Sequence, residues 1–304
     1  MFVSAGATAV RLKARSEMDS EARLRLALTA LEVQRTPGRI DRALEVEGID
    51  GLVRNFADLD PAQRQRINDD VDGLLRREID VVIRWTSDYP QRLHAVAQAP
   101  PLLFYWGNRA LLDCDGVGMC GARDCSPAGL EAARICGEQV AALGLNVISG
   151  YARGVDTETH LGALRGGGRT LIVLAEGINR FKQKRAFSEV ELDPERMAVI
   201  SQFAPGQVWT VGNAMARNTV IAGLARALVV VEAGESGGTL NAGMRALQMR
   251  RPVLALDFSI GTPTGNQALF EKGAVRVSSS KGLRASLDRL KAESAVEGRQ
   301  LHLI

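Results

Sequence analysis

Between residues 116 and 256, short runs rich in Val, Ile and Leu alternate with longer stretches whose apolar residues recur at helical spacing. Residues 116–120, 146–148, 170–174, 197–201, 227–231 and 252–256 read as strands, and 126–143, 156–164, 216–224 and 239–248 as helices between them. Strands this uniformly apolar are buried on both faces, and helical crossovers join parallel neighbours. The pattern predicts an α/β fold: a Rossmann-like, doubly wound, mostly parallel sheet. With 304 residues and 46% hydrophobic content, the chain can bury such a sheet and still build a smaller unit.

That smaller unit precedes the sheet. Leu24, Leu28 and Leu31, then Ile40, Leu44, Ile49, Leu52, Val53 and Phe56, recur at helical spacing, broken at Pro37-Gly38 and at Gly48. Asp60-Pro61 reads as an N-cap followed by a first-turn proline. The expected organisation is a flexible leader at 1–20, a SAM-like N-terminal helical bundle at 21–80, the Rossmann-like core at 81–278, and a short C-terminal helix and tail at 279–304. Thr36-Pro37-Gly38 resembles a DNA-binding hairpin but carries one glycine where such hairpins have two, so the bundle reads as a packing or protein-contact module. Pro100-Pro101 marks the start of a strand at Leu102.

Doubly wound sheets bind ligands outside the carboxyl ends of their strands, which singles out the turns there. The first holds Gly121, Arg123 and Ser126; the second holds Ser149, Gly150, Arg153 and Gly154. Ser149-Gly150 is expected to turn backbone amides toward a ligand, and the helix starting near Gly154 to offer its unpaired first-turn amides to an anion. Beyond the third strand lies a basic run, Arg180, Lys182, Lys184 and Arg185 around Phe181, which suits a nucleic-acid backbone with one stacking ring, and equally a solvated face. Ser236-Gly237-Gly238-Thr239, between a Val-rich strand and a helix, is a second phosphate-sized loop.

Other chemistries find less material. Neither a Walker loop nor a Gly-x-Gly-x-x-Gly fingerprint is present, which disfavours nucleotide hydrolysis and dinucleotide binding. The histidines are His94, His160 and His302, too few for a His-rich metal site or triad; Asp156 and His160 read as helix-start and packing residues. Cys114, Cys120, Cys125 and Cys136 contain no Cys-x-x-Cys spacing and read as reduced thiols. No catalytic residue, metal or cofactor is expected. A net charge of +3 permits an anionic partner without requiring one. No signal peptide or membrane span is legible, so a cytoplasmic location is expected.

Taken together, Gly121-x-Arg123-x-x-Ser126-x-x-Gly129, Ser149-Gly150-x-Ala152-x-Gly154-x-Asp156 with His160 and Thr170, Arg217-Asn218 with Ile221-Ala222-Gly223-Leu224, Val230-Val231-Glu232-Ala233, and Asn266 with Gly273-Ala274 resemble the core of the DNA-processing protein A (DprA, or Smf) family. Tyr89-Pro90 and Pro100-Pro101 are similar to the segment that leads into that core, so the likeness runs from about residue 85 to 275. The resemblance implies a non-catalytic, Rossmann-like binder of single-stranded DNA, a homodimer through this domain, that assists a RecA-type recombinase in DNA uptake. It makes Arg123 a phosphate or base contact, gives Lys182, Lys184 and Arg185 to the DNA backbone, and places Ser149, Gly150 and Arg153 in the same pocket. The chain departs from the family pattern at Thr219 after Arg217-Asn218, at Ser201-Gln202, at Asp257-Phe258, and in lacking Phe-Pro before Arg217. After Val277 only an amphipathic helix is legible, with no winged-helix module. Two alternatives use the same crevice: a phosphoribohydrolase of the lysine-decarboxylase-like (LOG) kind, whose glutamates after the glycine-rich loop are replaced here by Leu240, Asn241 and Ala242, and a sensor of small nucleotides.

Overall fold

The computed structural model describes residues 18–190 and 192–301. Most of the leader expected at 1–20, and His302, therefore lie outside the described residues. The Asp19 carboxylate accepts from the Ala22 amide at 2.8 Å and caps α1 (Ser20–Gln34). Helix α2 (Pro37–Asp58) bends at Gly48, whose φ of 64° only glycine adopts without a Cβ penalty. A reciprocal capping box between Asp60 and Gln63 opens α3 (Pro61–Leu75).

Nine strands follow among the described residues: β1 (Asp80–Ile83), β2 (Leu102–Gly107), β3 (Gly116–Cys120), β4 (Asn146–Ser149), β5 (Arg169–Val173), β6 (Met197–Ser201), β7 (Ala227–Val230), β8 (Val253–Leu256) and β9 (Val275–Val277). They form one sheet in the order β1-β2-β6-β5-β4-β3-β7-β8-β9. From β3 onward every pairing among them is parallel, while β2 runs antiparallel to both β1 and β6. The helices are α4 (Gln91–His94), α5 (Pro127–Ala142), α6 (Val155–Arg165), α7 (Val211–Leu224), α8 (Gly238–Gln248), α9 (Thr264–Glu271) and α10 (Ser280–Leu301). The doubly wound, mostly parallel sheet read from the sequence is the architecture found.

Side chains alternate across each strand, so the sheet buries two apolar faces. On one, Ile148, Leu171, Val173, Leu228 and Val230 pack under Val220, Ile221 and Leu224 of α7 and Ala242 and Ala246 of α8. On the other, Val117, Met119, Val147 and Val229 meet Ala133, Cys136 and Val140 of α5 and Leu283 and Leu287 of α10. The N-terminal helices share a further cluster with the sheet: Leu24, Ile40, Leu52 and Val71 pack with Val81, Phe104, Ile172 and Val199. Asp80 fastens them polarly, accepting from the Ser20 hydroxyl at 2.7 Å and pairing with Arg23.

The short helices α4 and α9 were not expected from the sequence, and two further elements differ from the sequence reading. Helix α7 begins at Val211 rather than Ala216, because the Thr210 hydroxyl accepts from the Asn213 amide at 3.0 Å and starts the helix more than a turn earlier. Strand β9 went unpredicted: it has three residues, of which Val275 and Arg276 are exposed, so it carries almost no apolar signal.

Candidate functional site

From β3 the chain winds one way through β4, β5 and β6, then crosses back and continues outward through β7, β8 and β9. The carboxyl ends of β3 and β7 flank this switch point, where helices diverge and leave a crevice. Two adjoining cavities of about 370 and 550 Å³ fill it and share Arg123, Ala152, Trp209 and Arg217. Tyr151, Arg153, Glu176 and Lys184 line the first; Asn218, Ser236, Gly238 and Thr239 line the second.

Arg217 forms the floor. Only 8% of it is exposed, and its Nη1 lies 3.3 Å from the Val173 carbonyl and 3.7 Å from Asp156 Oδ2. Its Nε is buried without a hydrogen-bond partner among the described residues. Burial draws this guanidinium below its ordinary pKa, while Asp156 pulls the other way and Arg123 adds to the lowering. A guanidinium has five N–H donors, and a buried one with unmet donors is costly unless something else accepts from it.

Lys184 reaches in from the basic run. Its Nζ donates to the Tyr151 carbonyl and lies 4.1 Å from the Tyr151 ring centroid, and its amide donates to the Tyr151 hydroxyl at 3.0 Å. Partial burial lowers the Lys184 pKa; Asp156 and Glu176 oppose this, and Arg123 and Arg217 reinforce it. Arg123 is exposed on the rim, with its guanidinium carbon 5.2 Å from the Trp209 ring centroid. Three cations thus share one crevice with the carboxylates Asp156 and Glu176, and mutual repulsion favours an incoming anion.

The remaining predicted residues divide. At the first turn of α8, the N-cap Gly237, at φ 106°, supplies no side-chain cap, and Ser236, Gly237 and Gly238 are exposed, so this helix N-terminus opens toward the crevice. Asn218 lies on the same wall, its side-chain amide 3.4 Å from the Gly238 carbonyl. Arg153 is on the rim, paired at 2.6 Å with Asp124. Lys182 and Arg185 are exposed and line neither cavity, and Phe181, expected to stack on a base, is instead half-buried against Trp106 and Tyr151.

In this structure the glycine and serine turns are engaged by the protein itself. The Ser149 hydroxyl is buried and donates to the Met119 carbonyl at 2.8 Å, tying β4 to β3. A Cβ on Gly150 would lie 1.4 Å from Arg217 Nη1, so this glycine makes room for the guanidinium. Gly121 and Gly154 permit close packing against Val155 and against the Ala122 and Arg123 carbonyls. At the start of α6 the Val155 amide donates to the Ala122 carbonyl at 3.3 Å, and Asp156 and Glu158 already supply first-turn negative charge. Ser126 caps α5, and both its amide and hydroxyl donate to Glu232. The N-terminus of α5 is therefore already served by a carboxylate from the end of β7.

His160 and Asp156 are structural. His160 is fully buried, with Nε2 2.7 Å from the Gly150 carbonyl and Nδ1 2.5 Å from the Thr170 hydroxyl. A carbonyl only accepts, so Nε2 carries a proton, while Nδ1 faces the Thr170 hydroxyl, which also lies 3.2 Å from the Val147 carbonyl. Asp156 is the second residue of α6 rather than its cap, and accepts from the Ala152 amide at 3.2 Å besides pairing with Arg217. Among the described residues no cluster of His, Cys, Asp and Glu suits a metal ion. The sequence reading missed Trp209; its signal was a tryptophan in the loop between the end of β6 and the start of α7, at the ligand-binding edge of the sheet.

Fold and crevice together define a doubly wound α/β protein with a cationic crevice at its switch point and no P-loop. Residues 80–288 match the family model of DNA recombination-mediator protein A, and the chain belongs to that family. It is 34% identical over 204 residues to DNA processing protein DprA of Streptococcus pneumoniae, a match spanning 66% of this chain and 71% of that one. Protein Smf of Escherichia coli is 32% identical over 202 residues, 66% of this chain and 54% of that protein. The X-ray structure of the pneumococcal DprA aligns at a TM-score of 0.63 and 28% identity, covering 87% of this chain and 94% of that one. DNA processing protein A from Helicobacter pylori, whose structure is described for its single-stranded DNA binding mode, shares the fold at a TM-score of 0.62 and 19% identity over 70% of this chain and 96% of that one.

Proposed function

We propose that this protein holds single-stranded DNA by its phosphates in the switch-point crevice and does no chemistry on it. The observation that carries the reading is the convergence of Arg123, Lys184 and the under-partnered, buried Arg217 on one crevice, opposite the uncapped start of α8. Phosphate contacts of this kind position a strand without reading its sequence. The buried carboxylate of the site, Asp156, is engaged by Arg217 and by the Ala152 amide, so it is poorly placed to act as a general base. This favours binding over phosphoribohydrolase chemistry.

On this reading the residues that hold DNA are Arg123, Lys184, Arg217, Asn218 and the turn from Ser236 to Thr239, with Arg153, Lys182 and Arg185 adding long-range attraction. The family likeness supports a homodimer through the sheet domain and assistance to a RecA-type recombinase, and the free cysteines support a reducing, cytoplasmic setting. The domain limits read from the sequence, with the core at 81–278, are part of the same proposal. Among the described residues no helix is long and apolar enough to cross a membrane.

Competition decides between strand, mononucleotide and enzyme. A labelled single-stranded 20-mer should bind and resist displacement by millimolar nucleoside monophosphates, and those monophosphates should release no free base on incubation. Displacement by micromolar monophosphate would favour a nucleotide sensor, and release of base an enzyme.

A further inference from the structure

Most large apolar side chains of this protein find cover, but three within four residues at the crevice rim do not. Val208 is 53% exposed, Trp209 43% and Val211 68%. Yet the loop that presents them is firmly held. The Gln207 carbonyl accepts from the Gly177 amide at 2.9 Å, the Val208 carbonyl from the Asn213 side-chain amide at 3.1 Å, and Thr210 caps α7 immediately afterwards. On the approach, the Asn179 amide donates to the Pro205 carbonyl and Arg180 Nε to the Gly206 carbonyl, both at 3.0 Å. A tryptophan left 43% exposed on a backbone held this firmly contributes little to folding.

We infer that Trp209 is the platform on which one unpaired base of the bound strand stacks, so that the crevice reads a base as well as phosphates. A nucleotide is a planar base tied to an anion, and Trp209 beside Arg123, with both lining both cavities, offers the matching pair. Holding the loop backbone in advance reduces the ordering cost of binding. Stacking needs a base free of its duplex partner, so the ring also supplies a reason for a single-stranded ligand, which the cations alone do not. Phe181, packed between Trp106 and Tyr151, has no comparable free face.

This inference rests on the crevice being a strand seat, and one experiment separates the two. Fluorescence anisotropy compares a labelled dT 20-mer with a 20-mer of the same charge made of abasic sites, on wild-type protein, Trp209→Ala and Trp209→Phe. Both probes carry the same phosphates, so their affinity ratio isolates the bases. Wild type should prefer dT by about tenfold or more, Trp209→Ala should bring the ratio to within about threefold with abasic affinity unchanged, and Trp209→Phe should retain most of the preference. An undiminished preference in Trp209→Ala, or no preference in wild type despite salt-sensitive binding of both probes, overturns the stacking role alone. Failure of wild type to bind either probe overturns the strand seat itself, and the stacking role with it.

Discussion

Gly150→Ala is the substitution whose effect follows most directly from the geometry. Gly150 is not among the positive-φ glycines, so alanine fits its backbone and would even restrict the unfolded chain slightly, to the benefit of stability. The cost comes from contact: the new Cβ falls 1.4 Å from Arg217 Nη1 and 2.4 Å from Asp156 Oδ2, forcing the guanidinium out of its place. At 3.7 Å and an effective dielectric near 20 the Arg217–Asp156 pair attracts by about 4 kcal/mol, and breaking a buried pair typically costs about 3–5 kcal/mol. Gly150→Ala should therefore destabilise by about 2–4 kcal/mol in urea unfolding followed by circular dichroism, since the displaced side chain recovers some solvation in the crevice. The test is a double-mutant cycle. In an Arg217→Ala background only the Asp156 carboxylate, freed of its partner, has to give way, and Gly150→Ala should cost much less, about 1 kcal/mol. Equal costs in the two backgrounds would refute the claim that this glycine exists to seat Arg217.

Three further outcomes follow from the same structure. Ser126→Ala should cost about 1 kcal/mol of stability by removing the α5 cap while leaving oligonucleotide affinity within about twofold, measured by unfolding and by anisotropy. Burial pulls the His160 pKa down to about 4; between that value and the unfolded value near 6.5 only the unfolded chain takes up the proton, so stability present at pH 7 is lost as the pH falls through this window, by roughly 2 kcal/mol at pH 5. Urea midpoints at the two pH values should show this, and His160→Gln should flatten the difference. Lys182→Ala and Arg185→Ala, lying outside the crevice, should each weaken DNA binding far less than Lys184→Ala in parallel titrations.

Much of this was legible because strand and helix periodicity dominates a parallel sheet: the strands from Gly116 to Leu256 are uniformly apolar, and Gly48 and Asp60 announce their kink and cap. Strand β9 stayed hidden because two of its three residues face water, and the start of α7 because the sequence between Val211 and Met215 carries no apolar stripe. Within the site, Arg123 and Lys184 could be placed beyond strand ends by the switch-point rule, whereas Arg217, inside α7, came with the family resemblance. What the glycines and serines do there could not be read. Whether Gly150 yields to a ligand or to Arg217, and whether Ser126 serves a phosphate or Glu232, depends on a residue distant in sequence. For the same reason the basic run looked uniform although only Lys184 turns inward, and Trp209 drew no notice beside Phe181, because exposure is a tertiary property.

The central claim is that three convergent cations seat a DNA backbone. Its most direct test is the salt dependence of affinity for a single-stranded 20-mer, by gel shift or anisotropy, in wild type and in Arg123→Ala and Lys184→Ala. The account predicts an affinity that falls steeply with salt, a logarithmic slope smaller by about 0.7 in each variant, and weakening that is the same for every sequence tried. Tight binding with a slope that neither substitution changes would contradict it.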